Sequence, residues 1–362
     1  MAQEISPATR TFAEGLNGDS LKKILIIRFS SIGDIVLTTP VIRCVKEQVP
    51  EAEVHFCTKA AFRNIIASNP YVDKVFCLET SLKDLLRQLQ AENYDLVLDL
   101  HNNLRTRILK TRLGRPSRSF DKLNYRKWLL VKFKIDQMPD VHIVDRYLAT
   151  AAALAVTNDG RGLDYFIPEK DKVDLSTLPA SHHNGYYAIA IGAQHYTKRL
   201  PVDRLIELCE KINGPIVLLG GKEDAAVARM IEMYFTSEPY FSSESPRPTH
   251  RTVIYDACGK YNLNGSASLV RQAQAVFSHD TGLMHIAAAF QKKIYSIWGN
   301  TVPAFGMYPY TQDFEVLEVK NLYCRPCSKI GYSKCPERHF RCMREIKFDF
   351  QLPVLDQSAS SL

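Results

Sequence analysis

The feature that most constrains this fold is the alternation of short apolar runs with amphipathic stretches. In the first half, runs rich in β-branched residues predict buried strands at 23–29, 53–58, 72–78 and 94–100. The stretch 34–49 between the first two strands predicts one helix, with Pro40 at a kink or in its first turn. Strands and helices in this alternation predict an α/β fold built on a parallel sheet.

A second series of the same kind follows, with predicted strands at 186–193, 215–221, 275–280 and 293–299. The intervening stretch 167–185 is rich in Pro, Ser, Asp and Gly, which is typical of a linker. A chain of 362 residues also exceeds what one core usually supports. We therefore expect two Rossmann-like domains with a cleft between them, and ligands at the carboxyl ends of the strands. The predicted divisions are a disordered tail (1–20), a first domain (21–168), a linker (169–185), a second domain (186–345) and a C-terminal tail (346–362).

Composition narrows the class of protein. A hydrophobic share of 46% and a charged share of 23% are those of a globular chain, and no apolar run reaches the roughly 20 residues of a membrane span. The first twenty residues lack the basic and apolar regions of a secretory signal. We therefore expect a cytoplasmic protein whose nine cysteines are mostly reduced.

Positive charge is concentrated between His101 and Lys134, a stretch that contains eleven basic residues and a single acid, Asp121. Such a block indicates an anionic partner: a nucleic acid, an acidic membrane surface, or a phosphorylated or carboxylated substrate. A solvated basic helix face is the alternative. The block includes Arg105 and Arg107, which follow a predicted strand end.

The stretch "RFSSIGDIVLTTPVI" (28–42) follows the first strand but has one glycine, Gly33, where a dinucleotide-binding loop has three. The residue after it is an acid, Asp34, which a phosphate site would avoid. A tight turn at Gly33 and hydroxyl contacts from Ser30 and Ser31 would shape this loop. Asp34 is either the cap of a helix that begins at Ile35 or a group with a chemical role.

The stretch "AVFSHDTGLMHIAAAF" (275–290) predicts a strand, a short turn and a helix. Thr281, Gly282 and Leu283 then lie near the positive end of that helix, which favours a phosphate or diphosphate. Asp280 could accept hydrogen bonds from sugar hydroxyls. Alternatively, Asp280 is a helix N-cap and His285 is an ordinary helix residue.

Taken together, "SSIGDIVLTTPVI", "DTGLMHIAAA" and "HIVDRYL" (142–148) resemble glycosyltransferase family nine, the ADP-heptose:lipopolysaccharide heptosyltransferases. The resemblance runs from about Lys23 to about Met343. It implies a GT-B fold, with the acceptor bound by the first domain and the nucleotide-sugar by the second. It also implies inverting transfer of a heptose from ADP-heptose to the lipopolysaccharide inner core, at the cytoplasmic face of the inner membrane.

The resemblance assigns roles to single residues. Asp34 corresponds to the general base of the family, and Lys198, beside Thr197, to the lysine on the donor phosphate. The family also carries an acid near the ribose, which Glu223 or Asp224 could be. The predicted donor-binding residues are thus Thr197, Lys198, Glu223, Asp224, Asp280, Thr281, Gly282 and His285. The predicted acceptor-binding residues are Ser31, Gly33, Arg105 and Arg107.

Two features qualify the resemblance. The family segment that usually reads Asp-x-Gln is altered at His101 and Asn102, which leaves the acceptor open. Asp95 and Asp99, four residues apart, match a metal-binding Asp-x-Asp motif poorly, so we expect catalysis without a metal cofactor. The predicted partners are an ADP-sugar donor, an anionic lipid-linked glycan and the inner membrane at its periphery, and no nucleic acid.

A cysteine-rich segment (324–342) contains Cys324, Cys327, Cys335 and Cys342. Four cysteines in this order can bind a structural zinc ion, but the spacing is irregular, and reduced thiols or disulfides remain alternatives. Other functions also stay open at this point. One is a transferase of the same fold with another donor sugar, or with an acceptor other than the Kdo sugars of the lipopolysaccharide core. Another is a nucleic-acid-binding module. A dehydrogenase is the third, and the missing G-x-G-x-x-G motif disfavours it.

Overall fold

The structure, a computed structural model, describes residues 23–236 and 251–355. Two compact units can be distinguished. One contains the chain up to residue 122 together with 141–166, and the other contains 123–140 together with the chain from 167 onward. The predicted disordered tail (1–20) and the last seven residues of the predicted C-terminal tail lie outside the described residues.

The first unit is built on a five-stranded sheet in the order β3-β2-β1-β4-β5, in which every neighbouring pair is parallel. Four of the five residues of β1 are fully buried, and Lys23 is the exception. This strand has neighbours on both sides and lies at the centre of the sheet. The strands are β1 (Lys23–Ile27), β2 (Glu53–Lys59), β3 (Lys74–Leu78), β4 (Leu96–Asp99) and β5 (Ser117–Ser119).

The second unit contains a six-stranded sheet in the order β11-β10-β9-β6-β7-β8, also parallel throughout. This order is that of the doubly wound nucleotide-binding fold, with the first and fourth strands of the unit side by side at the centre. The strands are β6 (Tyr187–Ala190), β7 (Pro215–Leu219), β8 (Val253–Asp256), β9 (Ala275–His279), β10 (Lys293–Trp298) and β11 (Phe314–Glu318).

The helices connect these parallel strands, as crossover connections require. In chain order, the described α-helices are α1 (Ile32–Val36), α2 (Thr39–Gln48), α3 (Arg63–Ile66), α4 (Leu82–Gln90), α5 (Leu104–Leu113), α6 (Asn124–Phe133), α7 (Ile143–Leu148), α8 (Val202–Ile212), α9 (Ala225–Thr236), α10 (Leu263–Gln272), α11 (Gly282–Ala289) and α12 (Arg341–Arg344). Within the described ranges, no helix combines the length and the apolar character needed to cross a bilayer.

The structure corrects the predicted helix over 34–49. This stretch forms two helices, α1 and α2, separated by a short turn, and Pro40 lies in the first turn of α2. Proline is tolerated there because the N–H groups of a first turn have no partner within the helix. The predicted first-turn position of Pro40 is therefore the one observed.

Three strands were missing from the prediction: β5, β8 and β11. Each is the outermost strand of its sheet. Strands at an edge have one neighbour and are only partly covered, so their sequences lack the continuous apolar run of a central strand. The burial of β11, with only Leu317 fully buried, illustrates this weaker signal.

Two predicted connecting regions are part of the second unit. The segment 169–185 forms three short 3₁₀ turns, and its His182 is fully buried, with Nε2 3.1 Å from the carbonyl oxygen of Ile216. Beyond residue 345, Phe348 and Phe350 are buried in the core of the unit, where Phe350 packs against Phe277 at 5.0 Å between ring centres. Both regions thus pack on the second sheet.

Residues 123–140 were predicted in the first domain but group with the second unit. The contacts that explain this grouping come from Lys134 and Lys127. The ammonium of Lys134 donates to the carbonyl oxygen of Pro326 at 2.7 Å, and Lys127 lies over the ring of Phe305.

Candidate active site

Each sheet has a point where its strand order reverses, and in doubly wound folds ligands bind just beyond the carboxyl ends of the strands at that point. In the first unit the reversal falls between β1 and β4. The chain leaving β1 runs from Arg28 to Asp34, and the chain leaving β4 continues to His101. The predicted base is therefore located at the edge of the sheet where a substrate is expected.

The carboxylate of Asp34 is held on both of its oxygens. One oxygen, Oδ1, pairs with the guanidinium of Arg28 at 2.6 Å. The other, Oδ2, accepts hydrogen bonds from the hydroxyl of Ser31 at 2.7 Å and from its backbone N–H at 3.0 Å. The Asp34 side chain is 19% exposed, so solvent and a substrate hydroxyl can reach it. These contacts fix the orientation of the carboxylate.

Arg28, the partner of Asp34, was not singled out from the sequence. It is 8% exposed and also donates to the carbonyl oxygen of Ser30 at 2.7 Å and to the hydroxyl of Tyr147 at 2.9 Å. Burial by itself would lower the pKa of Arg28, but the neighbouring Asp34 carboxylate raises it above its usual value. The sequence feature that could have indicated Arg28 is the stretch "KILIIRF", in which an arginine interrupts an apolar run.

The helix that follows begins earlier than predicted. Helix α1 starts at Ile32 rather than Ile35, and Asp34 is its third residue, forming a capping box with Ser31. Gly33 is buried inside this helix and does not form the tight turn expected of it. Asp34 is therefore not the cap of a helix that begins at Ile35, as one of the two interpretations proposed: the N-cap is Ser31, and Asp34 contributes to the capping box from inside the helix. This contribution leaves its chemical role open.

The two acids that flank β4, Asp99 at this edge and Asp95 at the opposite edge of the sheet, are already bound by a cation or a backbone group. Asp99 is fully buried and pairs with the ammonium of Lys110 at 2.8 Å, while Asp95 accepts from the backbone N–H of Lys23 at 2.8 Å. In the nearby His101, burial is the main cause that lowers the pKa to about 4, with a further contribution from Arg28. His101 is thus neutral at physiological pH.

Arg105 and Arg107, predicted to bind the acceptor, lie on α5 and are exposed. Within the described ranges, neither guanidinium group makes a hydrogen bond or ion pair with another residue of the chain. The structure does not bring them into contact with Asp34. Both guanidinium groups are accessible to an anionic ligand.

In the second unit the strand order reverses between β6 and β9, and the two predicted donor-binding groups Lys198 and Asp280 meet there. The ammonium of Lys198 donates to Asp280 Oδ2 at 2.5 Å and to the Asp280 carbonyl oxygen at 3.1 Å. Thr301, which was not predicted, donates its hydroxyl to the same carboxylate oxygen at 3.0 Å. The Lys198 and Asp280 side chains are 16% and 11% exposed.

Helix α11 begins immediately after Asp280. Its N-cap is Thr281 and its first residue is Gly282, so Asp280 is not the N-cap that one interpretation proposed. The Thr281 side chain makes no capping hydrogen bond to this helix. The first N–H groups of the helix lie beside the Lys198–Asp280 pair, which is favourable for an anion. His285 is buried on the same helix.

The structure distinguishes the two acids that were candidates for the ribose contact. Asp224 is buried, accepts from the backbone N–H of Gly221 at 2.9 Å, and pairs with Arg199 at 3.3 Å. Arg199 in turn donates to the carbonyl oxygen of Ala193 at 2.6 Å, so it links Asp224 to the loop after β6. Glu223 is exposed, so its carboxylate can reach a ligand.

Thr197 lies beside Lys198 but its hydroxyl is engaged elsewhere. Thr197 Oγ1 accepts a hydrogen bond from the backbone N–H of Tyr332 at 2.8 Å, and the Thr197 side chain is almost fully buried. The expected donor contact from Thr197 would therefore have to come from its backbone or follow a rearrangement. Tyr332 belongs to the cysteine-rich segment.

The four cysteines of that segment are all free thiols. Cys324 Sγ lies 3.8 Å from His339 Nε2. Burial is the main cause that raises the pKa of Cys327 to about 11 and that of Cys342 to about 12, and neighbouring cysteines add to both effects. Cys327 and Cys342 are thus thiols at neutral pH in the absence of a metal ion.

Among the described residues, the one group of three candidate ligand atoms within 4.8 Å of one another lies elsewhere, at Glu53, His55 and Glu92. Glu92 is neutralised by the ammonium groups of Lys23, at 2.9 Å, and Lys74. These ion pairs account for the cluster without a metal ion.

Comparison with known proteins shows which family the chain belongs to. The family model "Glycosyltransferase family 9 (heptosyltransferase)" matches residues 82–336, more than half of the chain. Lipopolysaccharide heptosyltransferase 1 of Campylobacter coli is 25% identical over 77% of this chain and 84% of its own. The Escherichia coli K12 protein of the same name is 24% identical over 78% of this chain and 89% of its own.

Solved structures share the fold. A family 9 glycosyltransferase of Veillonella parvula aligns with a TM-score of 0.68 at 21% identity, covering 84% of this chain and 88% of its own. The E. coli heptosyltransferase WaaC with ADP aligns with a TM-score of 0.61 at 23% identity, covering 81% and 92%. Two parallel sheets of this order are the GT-B architecture that the sequence predicted. The chain belongs to glycosyltransferase family 9, the heptosyltransferase family.

Proposed function

We propose that this protein transfers a heptose from ADP-heptose to the inner core of lipopolysaccharide, with inversion at the anomeric carbon. Membership of the heptosyltransferase family supports the reaction class. The observation that carries the assignment is the Lys198–Asp280–Thr301 cluster at the strand reversal of the second sheet. This cluster combines a cation, a sugar-binding carboxylate and a helix N-terminus, which are the groups that a nucleoside diphosphate sugar requires.

Asp34 acts as the general base in this proposal. A single inverting displacement requires the acceptor hydroxyl to lose its proton while its oxygen attacks the anomeric carbon. A positioned carboxylate that accepts this proton contributes about 10²–10⁴-fold to the rate. Arg28 and Ser31 support the role because their contacts orient the Asp34 carboxylate.

Lys198 stabilises the departing diphosphate. An ammonium has three N–H donors, and Lys198 directs two of them to Asp280. The third can donate to a phosphate oxygen without breaking the existing pair. The N–H groups at the start of α11, at Thr281 and Gly282, supply further donors as negative charge develops on ADP.

The remaining donor contacts go to the sugar and the nucleoside. We assign Asp280 to sugar hydroxyls and Glu223, rather than Asp224, to the ribose, because Asp224 is buried and already paired. His285, buried on α11, would act through the packing of that helix.

The acceptor in this proposal is an anionic, lipid-linked glycan met at the cytoplasmic face of the inner membrane. Arg105 and Arg107 support this choice because they present exposed positive charge on the unit that carries Asp34. Binding to vesicles that contain anionic lipid, lost at high salt and lost in an Arg105→Gln/Arg107→Gln variant, is the expected result.

We further propose that catalysis needs no metal cofactor and that any metal ion is structural. Asp95 and Asp99 are bound by Lys23 and Lys110, so they are poorly suited to hold a divalent cation. Cys324, Cys327, Cys335 and Cys342 are the candidate ligands of a structural zinc ion, because cysteine thiolates bind zinc. Metal analysis of the purified protein tests this, with melting before and after chelation: bound metal should be lost together with thermal stability, and activity should survive EDTA at low temperature.

The decisive experiment is a transfer assay with ADP-heptose and lipopolysaccharide from a heptose-deficient strain. We expect release of ADP and a gain of one heptose by the glycan, with the anomeric configuration opposite to that of the donor. Lys198→Met should raise the KM for ADP-heptose by about 10- to 100-fold, the effect of losing a charged hydrogen bond. The exposed Lys329 in the same unit provides the matched control, Lys329→Met, which should change nothing.

Other outcomes of this assay separate the alternatives. Transfer only from another nucleotide-sugar would contradict the heptose assignment while keeping the reaction class. Transfer only to glycans that already carry heptose would move the acceptor to a later residue of the core. Salt-sensitive nucleic-acid retention without any sugar transfer would overturn the enzymatic assignment.

A further inference from the structure

The cysteine-rich segment contacts two of the three loops that form the Lys198–Asp280–Thr301 cluster. The first of these loops follows β10. Three successive carbonyl oxygens of this loop accept hydrogen bonds from the segment. Arg325 donates to Gly299 and, at 2.8 Å, to Thr301, while the backbone N–H of Cys327 donates to Asn300 at 3.1 Å. The first three residues of the loop are thus bound to the segment.

Arg325 is well fixed for this role. Its side chain is 5% exposed and forms an ion pair with Glu318, at the end of β11, at 2.6 Å. It also donates to the carbonyl oxygen of Val319 at 2.9 Å. A planar guanidinium with five N–H donors can bind several carbonyl groups at once, which a lysine cannot match. Arg325 therefore links the end of β11 to the loop that follows β10.

The loop after β10 contacts the donor site directly. Thr301, whose backbone carbonyl is held by Arg325, donates its own hydroxyl to Asp280. Asp280 is in turn the partner of Lys198. A shift of the Thr301 backbone would therefore move the hydroxyl that orients the Asp280 carboxylate.

The second donor loop, which carries Lys198, also contacts the segment. Three hydrogen bonds link Thr197 and Tyr332. The backbone N–H and the hydroxyl of Thr197 donate to the Tyr332 carbonyl oxygen at 3.2 and 3.3 Å, and the N–H of Tyr332 donates to the Thr197 hydroxyl at 2.8 Å. Next to them, the ring of Tyr196 stacks on that of Phe340 with ring centres 5.2 Å apart.

The two loops also pack closely against each other. A Cβ atom added to Gly299 would lie 2.9 Å from the carbonyl oxygen of Thr197 and 2.5 Å from the Met343 side chain. Real side chains do not approach so closely, so this position requires glycine. The segment, the loop of Lys198 and the loop of Thr301 are consequently one packed group.

We propose that the cysteine-rich segment is the structural support of the donor site, and that Arg325 is a positioning residue for the Asp280–Lys198 pair. Arg325 acts through Thr301 and makes no contact with Lys198 or Asp280 itself. Displacements of about 1 Å at a catalytic group can cost about 10²-fold in rate, so such support has a functional consequence. The claim about donor binding depends on the proposed function, whereas the claim about loop positions does not.

The first test measures the loops without any ligand. Hydrogen exchange is followed in the wild-type protein, Arg325→Gln, Arg325→Lys and the control Arg341→Gln, which removes an exposed ion pair of the same segment. We expect faster exchange in peptides covering 196–200 and 299–306 for Arg325→Gln, a smaller change for Arg325→Lys, and none for Arg341→Gln. Unchanged exchange in Arg325→Gln, or equal changes in Arg341→Gln, would overturn the proposal.

The second test measures ADP binding by titration calorimetry. Arg325→Gln should weaken ADP binding about tenfold or more, and Thr301→Val, which removes only the hydroxyl on Asp280, should weaken it several-fold. If Arg325 acts through Thr301, the fold-loss of ADP affinity in the double variant should be smaller than the product of the fold-losses in the two single variants. Independent, multiplicative effects would contradict this route.

The two tests also separate the two proposals. A wild-type protein that binds no ADP would refute the proposed donor, and the exchange experiment would still decide whether Arg325 positions the loops. Should Arg325→Gln fail to fold, Thr301→Val and Arg325→Lys provide the same comparison with smaller perturbations. With an active enzyme, the KM for ADP-heptose should rise in Arg325→Lys by more than kcat falls, because the residue positions the donor site and does not touch the reacting atoms.

Discussion

Replacing Asp34 by asparagine separates the chemical role of this residue from its structural role. Asparagine has nearly the same shape and can still accept a hydrogen bond from Ser31. It carries no charge, however, so it can neither take the proton of an acceptor hydroxyl nor neutralise Arg28. Both consequences can be given a magnitude from the contacts of Asp34.

The rate and the stability should change by different amounts. Loss of a positioned base lowers kcat by about 10²–10⁴-fold. Removing one member of a fully buried ion pair costs about 3–5 kcal/mol of unfolding free energy. Asp34 is 19% exposed, and Arg28 keeps hydrogen bonds to Ser30, Leu100 and Tyr147. We therefore expect a smaller loss of about 1–3 kcal/mol.

The measurements are initial rates of transfer from ADP-heptose and urea unfolding of the same preparations. Asp84→Asn is the matched control, because Asp84 is also the third residue of a helix, α4, behind a serine cap at Ser81. Asp84 pairs only with the exposed Arg87. This control should lose no activity and at most about 0.5 kcal/mol of stability.

Two results would refute the reasoning. If kcat of Asp34→Asn stays within about tenfold of the wild-type value while stability falls as expected, Asp34 is a helix cap and not the base. If stability is unchanged, the Arg28–Asp34 pair does not neutralise a buried charge in solution.

Three further predictions concern other parts of the two units. Glu223→Gln should weaken ADP binding about three- to tenfold in calorimetry without changing the melting temperature. Asp224→Asn should instead lower the unfolding free energy by about 1–2 kcal/mol. The reverse pattern would assign the ribose contact to Asp224 and the structural role to Glu223. Burial lowers the pKa of His279 to about 4; the unfolded chain therefore binds more protons between about pH 6.5 and 4, and stability falls as the pH drops through this range. Urea unfolding at pH 7.5 and pH 4.5 should show a loss of about 2–3 kcal/mol from this residue, absent in His279→Gln. Arg105→Gln/Arg107→Gln should raise the KM for the lipid-linked acceptor at low salt and leave that for ADP-heptose unchanged, so an equal rise in both would contradict an acceptor role.

The sequence predicted the structure best where the pattern of apolar residues is continuous within a short stretch. Central strands such as β1 and β9 are covered on both faces, so their continuous apolar runs predicted them directly. The edge strands β5, β8 and β11 were missed because their burial is partial. Gly33 was assigned a turn because glycine often marks one, whereas the structure uses it inside a helix.

Two site residues illustrate the limit of local reasoning. Lys198 and Asp280 were each singled out from their own stretch, but their ion pair joins residues 82 positions apart. Arg28 was passed over because a cation in a strand is interpretable only with its partners, and those include Tyr147, 119 residues away. Contacts of this range depend on the order of strands in a sheet, which the sequence pattern does not specify.

By itself, the sequence determined the α/β class, the two series of strands, the family and the residue types available for chemistry, because periodicity and short motifs are properties of neighbouring residues. The tertiary structure alone decided how those residues are used: that Asp34 pairs with a buried arginine, that Asp224 is occupied while Glu223 is accessible, and that the cysteine-rich segment binds the loops of the donor site. The physical reason is that parallel strands bring their carboxyl ends to one edge of the sheet, so groups far apart in sequence become neighbours whose charges and hydrogen bonds must be satisfied together.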